Sequence, residues 1–369
     1  MSQAPTGGSR RPAPDLWFED TAVGRLKRAI WEASDEEIDA ILADYGVPSP
    51  CEWATPGAYI QTTIRHQLEA NRRKNDIVLI PVGSTENHGQ AMVSAVDTLY
   101  ASMICEGVRR YTAKRGAPVN LALPPLMYGA HPYHHLGMPG TVILRDEVAK
   151  EVMIDVMLGL WNDGFRKQII VNNHGQLWVL EGAVQEFCRR YRLPGVFRVV
   201  DWHRAVREFF RPREQGGVFD TPFVHADEAE TSLSLFLYPE MVDMAYAVDT
   251  EPVALLPGGH FDTAVDAYRR PHRWSEGEGH AAIEIKGTPQ GVVGRATRGE
   301  AWKAKRPLAA ILRYLTLVHD EILERYPPGT VPPPELISLR DPTELEPYLK
   351  EPLSPGWKSV YELPMLGQR

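Results

Sequence analysis

The sequence predicts an α/β fold with three layers (α/β/α), in which a mainly parallel central sheet is covered by helices on both faces. Short runs of consecutive apolar residues are typical of strands buried on both faces, as in parallel sheets. Segments with one apolar face at helical spacing lie between these runs. Because the two kinds of segment alternate from residue 77 to residue 237, βαβ units are the expected building blocks.

The predicted strands are apolar runs of strand length. They cover residues 77–83 (IVLIPVG), 119–126 (VNLALPPL), 168–173 (QIIVNN) and 196–202 (VFRVVDW). The predicted helices cover residues 98–114, 146–162, 175–191, 228–237 and 300–326, and another begins near Ser34 and runs to Tyr45. In the second of these, Met153, Val156 and Leu160 recur on one face, which indicates a helix packed against the sheet.

The composition along the chain predicts how these elements are grouped. We expect a disordered tail (1–14), an N-terminal elaboration (15–75), a metallohydrolase-like domain (76–326) with a loop or lid at about 251–287, and a Pro-rich C-terminal extension (327–369). The tail and the lid are rich in Gly and Pro, and such segments bury little apolar surface.

Several function classes are disfavoured by composition. The formal net charge is −8 without a basic run, which argues against nucleic-acid binding. The three cysteines are widely spaced, which argues against a disulfide framework and a thiolate metal site. The sequence has no run of about 20 apolar residues, which is the length that would predict a membrane span, so we expect a cytoplasmic protein. No G-x-G-x-x-G follows a strand, and no phosphate-loop motif occurs, which disfavours a nucleotide enzyme.

Acidic and imidazole side chains follow two of the predicted strands. Glu86 and His88 lie in STENHGQ after the first strand, and Asp97 begins the next helix. His174 lies in NNHGQ, just after the third strand. Because parallel strands place their carboxyl ends at one edge, these side chains are expected in one crevice. Carboxylates and imidazoles are the donors of hard-to-borderline divalent ions, so the pattern predicts a metal site.

A third cluster is HADEAETS, residues 225–232, which offers one imidazole and three carboxylates at the start of a helix. Asp227 and Glu230 also have the spacing of a capping box, and Glu228 suits the positive end of the helix dipole. A lone histidine is more often structural than a ligand. The coincidence of three clusters at three strand or loop ends favours the metal site.

These motifs resemble those of the creatininase superfamily. STENHG with Asp97, HHLGMPGT (134–141), NNHGQ and HADEAETS occur in the family's order, and GTPQGVVGRATRGEAWKA (287–304) is loosely similar to its closing motif. The resemblance implies a creatininase-like fold, a homo-oligomer such as a hexamer, and a site for two zinc or manganese ions, with a single ion left open. It implies that a bridging water attacks the carbonyl of a small cyclic substrate.

The resemblance also implies residue roles. Asp97 would bridge the ions, Glu86 and His174 would bind one and His88 the other, while His225 and Glu230 would be catalytic. Creatininase has a glutamate at the position of Gln176, so Glu228 is the first candidate for the missing ligand and Glu230 the second. Creatininase also has a tryptophan at the position of Thr221, which argues against creatinine itself as the substrate.

The substrate-binding candidates precede or flank these motifs. His131, Tyr133 and His135, next to His134, could hydrogen-bond a polyhydroxylated ring, and Trp178 and Trp202 are pocket-wall or core aromatics. The first expectation is ring opening at a C–N bond, as by an amidohydrolase. Two alternatives stay open: ring opening of an oxidised inositol at a C–C bond, and a non-catalytic relative that serves assembly or sensing.

Overall fold

The structure is a computed structural model that describes residues 55–122, 127–131, 138–221, 223–250 and 290–366, with positions 20, 34, 36, 37 and 40 before them. The chain divides into two compact units, Met1–Ala54 and Thr55–Arg369. In the first unit Ser34 N donates to Glu37 Oε2 at 2.7 Å and Glu37 N to Ser34 Oγ at 3.2 Å. This capping box begins a helix where the sequence predicts one, and Ala40 is helical.

The second unit alternates strands and helices. Its strands are β1 (Ile77–Val82), β2 (Asn120–Leu121), β3 (Gly129–Ala130), β4 (Ile143–Leu144), β5 (Lys167–Asn172), β6 (Val196–Asp201), β7 (Asp249–Thr250) and β8 (Gly294–Arg295). Its α-helices are α1 (Arg65–Arg72), α2 (Val96–Lys114), α3 (Asp146–Asn162), α4 (Leu177–Tyr191), α5 (Trp202–Ala205), α6 (Glu228–Leu237), α7 (Lys305–Arg325), α8 (Pro334–Ile337) and α9 (Pro342–Leu349).

The central sheet has the order β2-β1-β5-β6, and all its strand pairs are parallel. Val82 pairs with Asn172, and Asn172 with Asp201, so three strands end at the same level. The loops after these strands therefore meet at one edge of the sheet, where open α/β folds place their sites.

Helices cover the sheet because its strands are apolar on both faces. Val78 and Ile80 of β1 pack in a core cluster with Met157 of α3 and Phe187 of α4. Ile77 and Leu79 alternate with them and are fully buried, on the side where α2 packs against β1 and α7 against α2. The α/β prediction with a mainly parallel central sheet is confirmed.

The differences from prediction concern short elements. Only Asn120–Leu121 of the expected strand 119–126 is a strand, and residues 123–126 lie outside the described part. The small β3–β4 and β7–β8 sheets were not predicted, because two-residue strands have no periodicity to detect. The predicted helix 300–326 begins as a 3₁₀ turn, Ala301–Ala304, before α7. The predicted tail and the 251–287 lid also lie outside the described residues.

The Pro-rich C-terminal segment packs on the α3 and α4 side. Its apolar side chains join the core cluster described above: Leu345, Tyr348, Val360 and Leu363. Arg166 donates to the carbonyls of Leu349 at 2.6 Å and Lys350 at 2.9 Å. The domain boundaries drawn from the sequence stay predictions. In the part of the chain that is described, no helix combines the length and apolar character needed to cross a membrane.

Candidate metal centre

The loop between β1 and α2 carries the first candidates. Glu86 and His88 lie in this loop, and Asp97 is in the first turn of α2. The amide of Glu86 donates to the carbonyl of Ser94 at 2.9 Å, so the loop turns back on itself. Asp97 Oδ2 accepts a hydrogen bond from Ser84 Oγ at 2.7 Å, which orients the carboxylate.

Two other sequence motifs hold this loop in place through Asn87. The amide of Asn87 donates to Thr141 Oγ1 at 2.9 Å, and its side-chain Nδ2 donates to the carbonyl of Pro139 at 2.6 Å. Gly291 approaches so closely that a Cβ there would lie 1.9 Å from Asn87 Oδ1. The PGT motif and the closing GVVG motif therefore shape the loop that carries Glu86 and His88.

The predicted ligands converge in one buried cluster. His174, just after β5, places Nδ1 2.8 Å from Glu86 Oε2 and 3.1 Å from Asp97 Oδ2. His88 Nε2 lies 3.7 Å from Asp97 Oδ1 and 3.5 Å from Glu230 Oε2. All five side chains are buried. The structure thus brings together Glu86, His88, Asp97 and His174, as the sequence predicts, and adds Glu230.

Each histidine of the cluster uses one ring nitrogen on a backbone carbonyl. His88 Nδ1 is 3.0 Å from the carbonyl of Glu86, His174 Nε2 is 3.0 Å from that of Ala130, and His225 Nε2 is 2.7 Å from that of Asn87. A carbonyl only accepts, so the contacting nitrogen carries the proton and the other nitrogen faces the carboxylates. Metal-binding histidines have this arrangement.

Three overlapping groups in the described residues have the donor atoms to hold a cation: Glu86 with His88 and His225, Glu86 with His131 and His174, and His88 with Asp97 and Glu230. His88 Nε2 is buried and makes no hydrogen bond among the described residues, although two carboxylate oxygens lie 3.5 and 3.7 Å away. Ligand atoms around a tetrahedral zinc are spaced by roughly 3.4 Å, given bonds of about 2.0–2.2 Å. The donor set therefore fits a divalent ion.

The electrostatics of the cluster favour a cation. Burial, with the nearby charges of Asp97 and Asp227, raises the pKa of Glu230 well above its usual value. Burial lowers the pKa of His174, but the charges and hydrogen bonds of Glu86 and Asp97 outweigh this and raise that pKa to about 10. Three carboxylates thus compete for positive charge inside the protein, and divalent ions would supply it.

Gln176 does not face the cluster as a ligand. Its Nε2 donates to the carbonyl of Gly83 at 3.1 Å, and its Oε1 accepts from the amide of Ala130 at 3.0 Å. Both ends of the amide are used by backbone groups of neighbouring segments. Gln176 therefore ties the β1 and β5 loops to β3.

Glu228 is not brought to the other candidates, although the sequence made it the first choice for the missing ligand. Its Oε1 accepts from Lys303 Nζ at 2.6 Å, and its Oε2 from the amides of Asp220 at 2.7 Å and Thr221 at 3.0 Å. Glu228 and Lys303 form a buried ion pair. Glu230, the second choice, faces His88 instead.

The start of α6 combines capping with the metal centre. Asp227 is the N-cap, and its Oδ1 accepts from the amides of Ala229 at 2.9 Å and Glu230 at 3.1 Å. Glu230 Oε2 accepts from the amide of Ala226. One oxygen of Glu230, Oε2, thus both accepts a hydrogen bond at the start of the helix and lies 3.5 Å from His88 Nε2. His225 Nδ1 lies 3.6 Å from Glu86 Oε1, at the same cluster.

The predicted substrate-binding residues are distributed differently. His131 lies beside His174, with ring centroids 4.3 Å apart and the rings tilted by 58°, whereas Tyr133, His134 and His135 lie outside the described residues. Trp178 is 45% exposed on α4 and donates to Asp146, so it is away from the cluster.

Trp202 is fully buried and donates its indole N–H to Asn173 Oδ1. Asn173 Nδ2 in turn donates to Asp97 Oδ1 at 2.8 Å. Trp202 therefore supports a candidate ligand from below instead of forming a pocket wall.

The sequence analysis missed the residues after β6. His203, Arg204 and Phe223 line a cavity together with Glu86, Asp97, His174, His225 and Glu230. Asp201 ends β6, with its Oδ1 3.1 Å from His203 Nδ1 and its Oδ2 3.3 Å from Arg204 Nε. The signal was present, because DWHR follows a parallel strand just as STENHG and NNHG do.

Comparison with known proteins identifies the family. The creatininase family profile, described as creatinine amidohydrolase, matches residues 62–318. The chain belongs to the creatininase family. The resemblance drawn from the four motifs is confirmed, and the chain is an enzyme of the metal-dependent hydrolase type.

Two curated relatives are informative about this family member. It is 43% identical over 305 residues to 3-dehydro-scyllo-inosose hydrolase of Thermotoga maritima, which covers 83% of this chain and 96% of that protein. It is 31% identical over 228 residues to creatinine amidohydrolase of Pseudomonas putida, with coverage of 56% of this chain and 80% of that protein. Of these two relatives, the inosose hydrolase has the higher sequence identity and aligns over the longer part of the chain.

Solved creatininases share the fold. A crystal structure of creatinine amidohydrolase aligns with a TM-score of 0.56 at 23% identity and covers 73% of this chain and 98% of its own. A mutant creatininase of Zn-Zn type aligns with a TM-score of 0.56 at 22% identity, and creatininase with Mn at 0.54 and 23% identity. Each covers 73–74% of this chain and 99–100% of its own.

Proposed function

We propose that this creatininase-family hydrolase opens an oxidised inositol ring at a carbon–carbon bond. The observation that carries the substrate class is the 43% identity, over 83% of the chain, to an inosose hydrolase. An inosose ring consists of carbon only, so its hydrolytic opening must break a C–C bond. The first expectation from the sequence, C–N hydrolysis, has less support, because the creatinine amidohydrolase match is weaker and covers 56% of the chain.

The cofactor we propose is a pair of divalent ions, zinc or manganese, as in the solved creatininases of Zn-Zn and Mn type. Asp97 would lie between the ions, Glu86 and His174 would bind one, and His88 and Glu230 the other. When bound, such ions lower the pKa of a water molecule and polarise a substrate carbonyl. Glu230 thus takes the position that the sequence analysis gave first to Glu228.

His225 is proposed to move the proton. Its Nε2 contacts the carbonyl of Asn87 at 2.7 Å, so in the neutral ring Nδ1 exchanges the proton on the cluster side. Nδ1 lies 3.6 Å from Glu86 Oε1 and 3.9 Å from Glu230 Oε2, on the side of the candidate metal ligands. His225 would accept a proton as water adds and return it to the carbon that leaves.

The test is a substrate panel with the purified, metal-loaded protein. It contains an inositol ring oxidised at two positions, an inositol oxidised at one position, creatinine and hydantoin, and products are followed by mass spectrometry. We expect a gain of one water on the doubly oxidised ring and formation of an open-chain acid. Turnover of creatinine or hydantoin without turnover of the polyol ketones would contradict C–C cleavage and support hydrolysis of a C–N bond.

Metal content decides the number of ions. We expect about two zinc or manganese ions per chain by elemental analysis, and activity that is lost on chelation and returns with either ion. One ion per chain would mean that only one of the overlapping groups of ligand residues binds a metal. The non-catalytic alternative would require inactivity on the whole panel with the ions bound. A homo-oligomer, with a hexamer as the family suggests, and a cytoplasmic location stay predictions.

A further inference from the structure

The cavity has an asymmetric distribution of charge. The described residues that line it include three carboxylates, Glu86, Asp97 and Glu230, all on the side of the metal cluster. Among the same lining residues, the only Lys or Arg is Arg204, which comes from the β6 side. A permanent cation is therefore among the groups that line the cavity beside the proposed metal ligands.

Arg204 is held in this position by the element that carries it. It lies in the short helix α5, directly after β6, and its Nε is 3.3 Å from Asp201 Oδ2. The same carboxylate holds His203, whose ring stacks on Phe223 with centroids 4.8 Å apart. The guanidinium thus contacts Asp201 through Nε, and the Arg204 side chain, which is 28% exposed, also lines the cavity.

Carbon–carbon hydrolysis makes a demand that amide hydrolysis does not. In an amide, the departing nitrogen needs only a proton. In a carbon ring, the departing carbon takes the electron pair of the broken bond, and this is feasible only when a second carbonyl accepts the charge as an enolate. A fixed cation at that enolate oxygen stabilises charge that develops in the transition state.

Resting on the proposed function, we propose that Arg204 is a catalytic residue that binds the enolate oxygen of the departing carbon. Hydroxide adds to one ring carbonyl, and the bond from that carbon to its neighbour breaks. The electron pair passes through the neighbour to the oxygen of the next carbonyl. The proton taken from water by His225 returns to the neighbour, so one water is consumed and a C–H bond and a carboxylic acid form; the acid then releases its proton to solvent and becomes a carboxylate.

This assignment narrows the substrate class. The two carbonyls must be separated by one ring carbon, so the substrate is a cyclic polyol 1,3-diketone. The guanidinium suits the role because it stays charged at any physiological pH and presents donors in a planar fork. Asp201 is a positioning residue, since it contacts Arg204 and His203 and is not among the cavity-lining residues.

The experiment compares Arg204→Met with Arg207→Met, a control whose side chain is 68% exposed on the following turn. Turnover of the cyclic diketone is measured with metal content and melting temperature. Binding is measured separately by calorimetry, with cyclohexane-1,3-dione, which is an enolate at neutral pH, and with myo-inositol as the uncharged comparison. We expect R204M to lose about 100-fold in kcat with a smaller change in KM.

The binding arm gives a result that does not depend on turnover. R204M should bind the dione anion at least about tenfold more weakly, because the variant loses one hydrogen bond to a charged group. It should bind myo-inositol with the same affinity as the wild type. If R204M fails to fold, D201N/R204M, which removes both charges, carries the same comparison. A folded, metal-loaded variant with kcat within threefold of wild type and unchanged dione binding would refute the role of Arg204. A wild type that cleaves no diketone refutes the proposed function and this inference with it.

Discussion

Glu228 and Glu230 lie two residues apart in the first turn of α6, so their side chains leave the helix in different directions. Glu228 accepts from the buried Lys303, and Glu230 approaches His88 and Asp97 from the other side. Both carboxylates are buried. One is neutralised by a lysine of the chain, whereas the other adds to a cluster that already has excess negative charge.

Replacement of Glu230 by Gln should weaken metal binding without loss of fold. The amide is nearly isosteric and removes a carboxylate whose pKa burial raises, so the metal-free protein should melt at the same temperature or higher. Metal affinity should fall at least about tenfold, measured by competition with a chelator. The exposed Glu240→Gln is the matched control. Unchanged affinity in E230Q would remove Glu230 from the ligand set.

Replacement of Glu228 by Gln should have the opposite signature. It removes the buried carboxylate partner of Lys303 and leaves the lysine with Glu300, at 3.0 Å, whose side chain is 53% exposed. Breaking a buried ion pair costs up to about 3–5 kcal/mol. We expect a large fall in the free energy of unfolding by urea denaturation, with metal affinity of the folded fraction close to wild type. A stable E228Q protein that has lost one ion would restore Glu228 as a ligand.

The sequence predicted Glu86, His88, Asp97 and His174 as candidate metal ligands, because their motifs follow predicted strands whose ends meet at one edge of a parallel sheet. It ranked Glu228 before Glu230 as a ligand, because the pairing of Glu228 with a lysine 75 residues away is not visible in the sequence. It also missed Arg204: DWHR follows a strand as the other motifs do, but a basic residue there resembles an ordinary surface residue until the cavity is known.

At the scale of elements, the sheet and α2 meet at Gly83. A Cβ on this residue would lie 2.3 Å from the backbone nitrogen of Thr98 and 2.6 Å from the carbonyl carbon of Asp97. No side chain can move aside, since both neighbours are backbone. The absence of a Cβ therefore allows the N-terminal turn of α2, with Asp97, to reach the end of β1.

Replacement of Gly83 by Ala should displace the first turn of α2 and Asp97 with it. We expect a lower melting temperature together with a loss of metal affinity, measured by thermal unfolding at several metal concentrations. Gly182→Ala in α4 is the control, because its nearest neighbour is a Lys150 side-chain carbon at 3.9 Å. Alanine there should be neutral or stabilise the helix by up to about 1 kcal/mol. Wild-type metal affinity in G83A would contradict the proposed coupling.

The elements that periodicity predicted are those with many residues to repeat a pattern. The helices 146–162 and 228–237 were predicted with the bounds that the structure has. The β3–β4 pair was not predicted, because its pairing depends on Gln176 and on neighbouring loops, not on two-residue patterns. Residue periodicity thus predicts the long elements, whereas the short strands depend on contacts between distant parts of the chain.

At the scale of the whole molecule, the C-terminal segment completes the core. Leu345, Tyr348, Val360 and Leu363 pack in the cluster formed by α3, α4 and the sheet. Arg72 also forms an ion pair with Glu351 at 2.5 Å. The segment that composition marks as a Pro-rich extension is thus part of the hydrophobic layer beneath one face of the sheet.

A chain that ends at Thr330 should therefore fail to fold cooperatively. Each buried apolar side chain contributes about 1.5–3 kcal/mol, so the loss of the four named above is of the order of the whole free energy of unfolding, about 5–15 kcal/mol. Two point variants separate packing from length: Leu345→Ala should cost about 2–5 kcal/mol, whereas Leu339→Ala, at a side chain 82% exposed, should stay within about 0.5 kcal/mol. Calorimetric melting of the three proteins checks this. A single cooperative transition in the truncated chain would contradict this prediction. It would mean that the sheet and its helices fold as a two-state unit without the C-terminal segment.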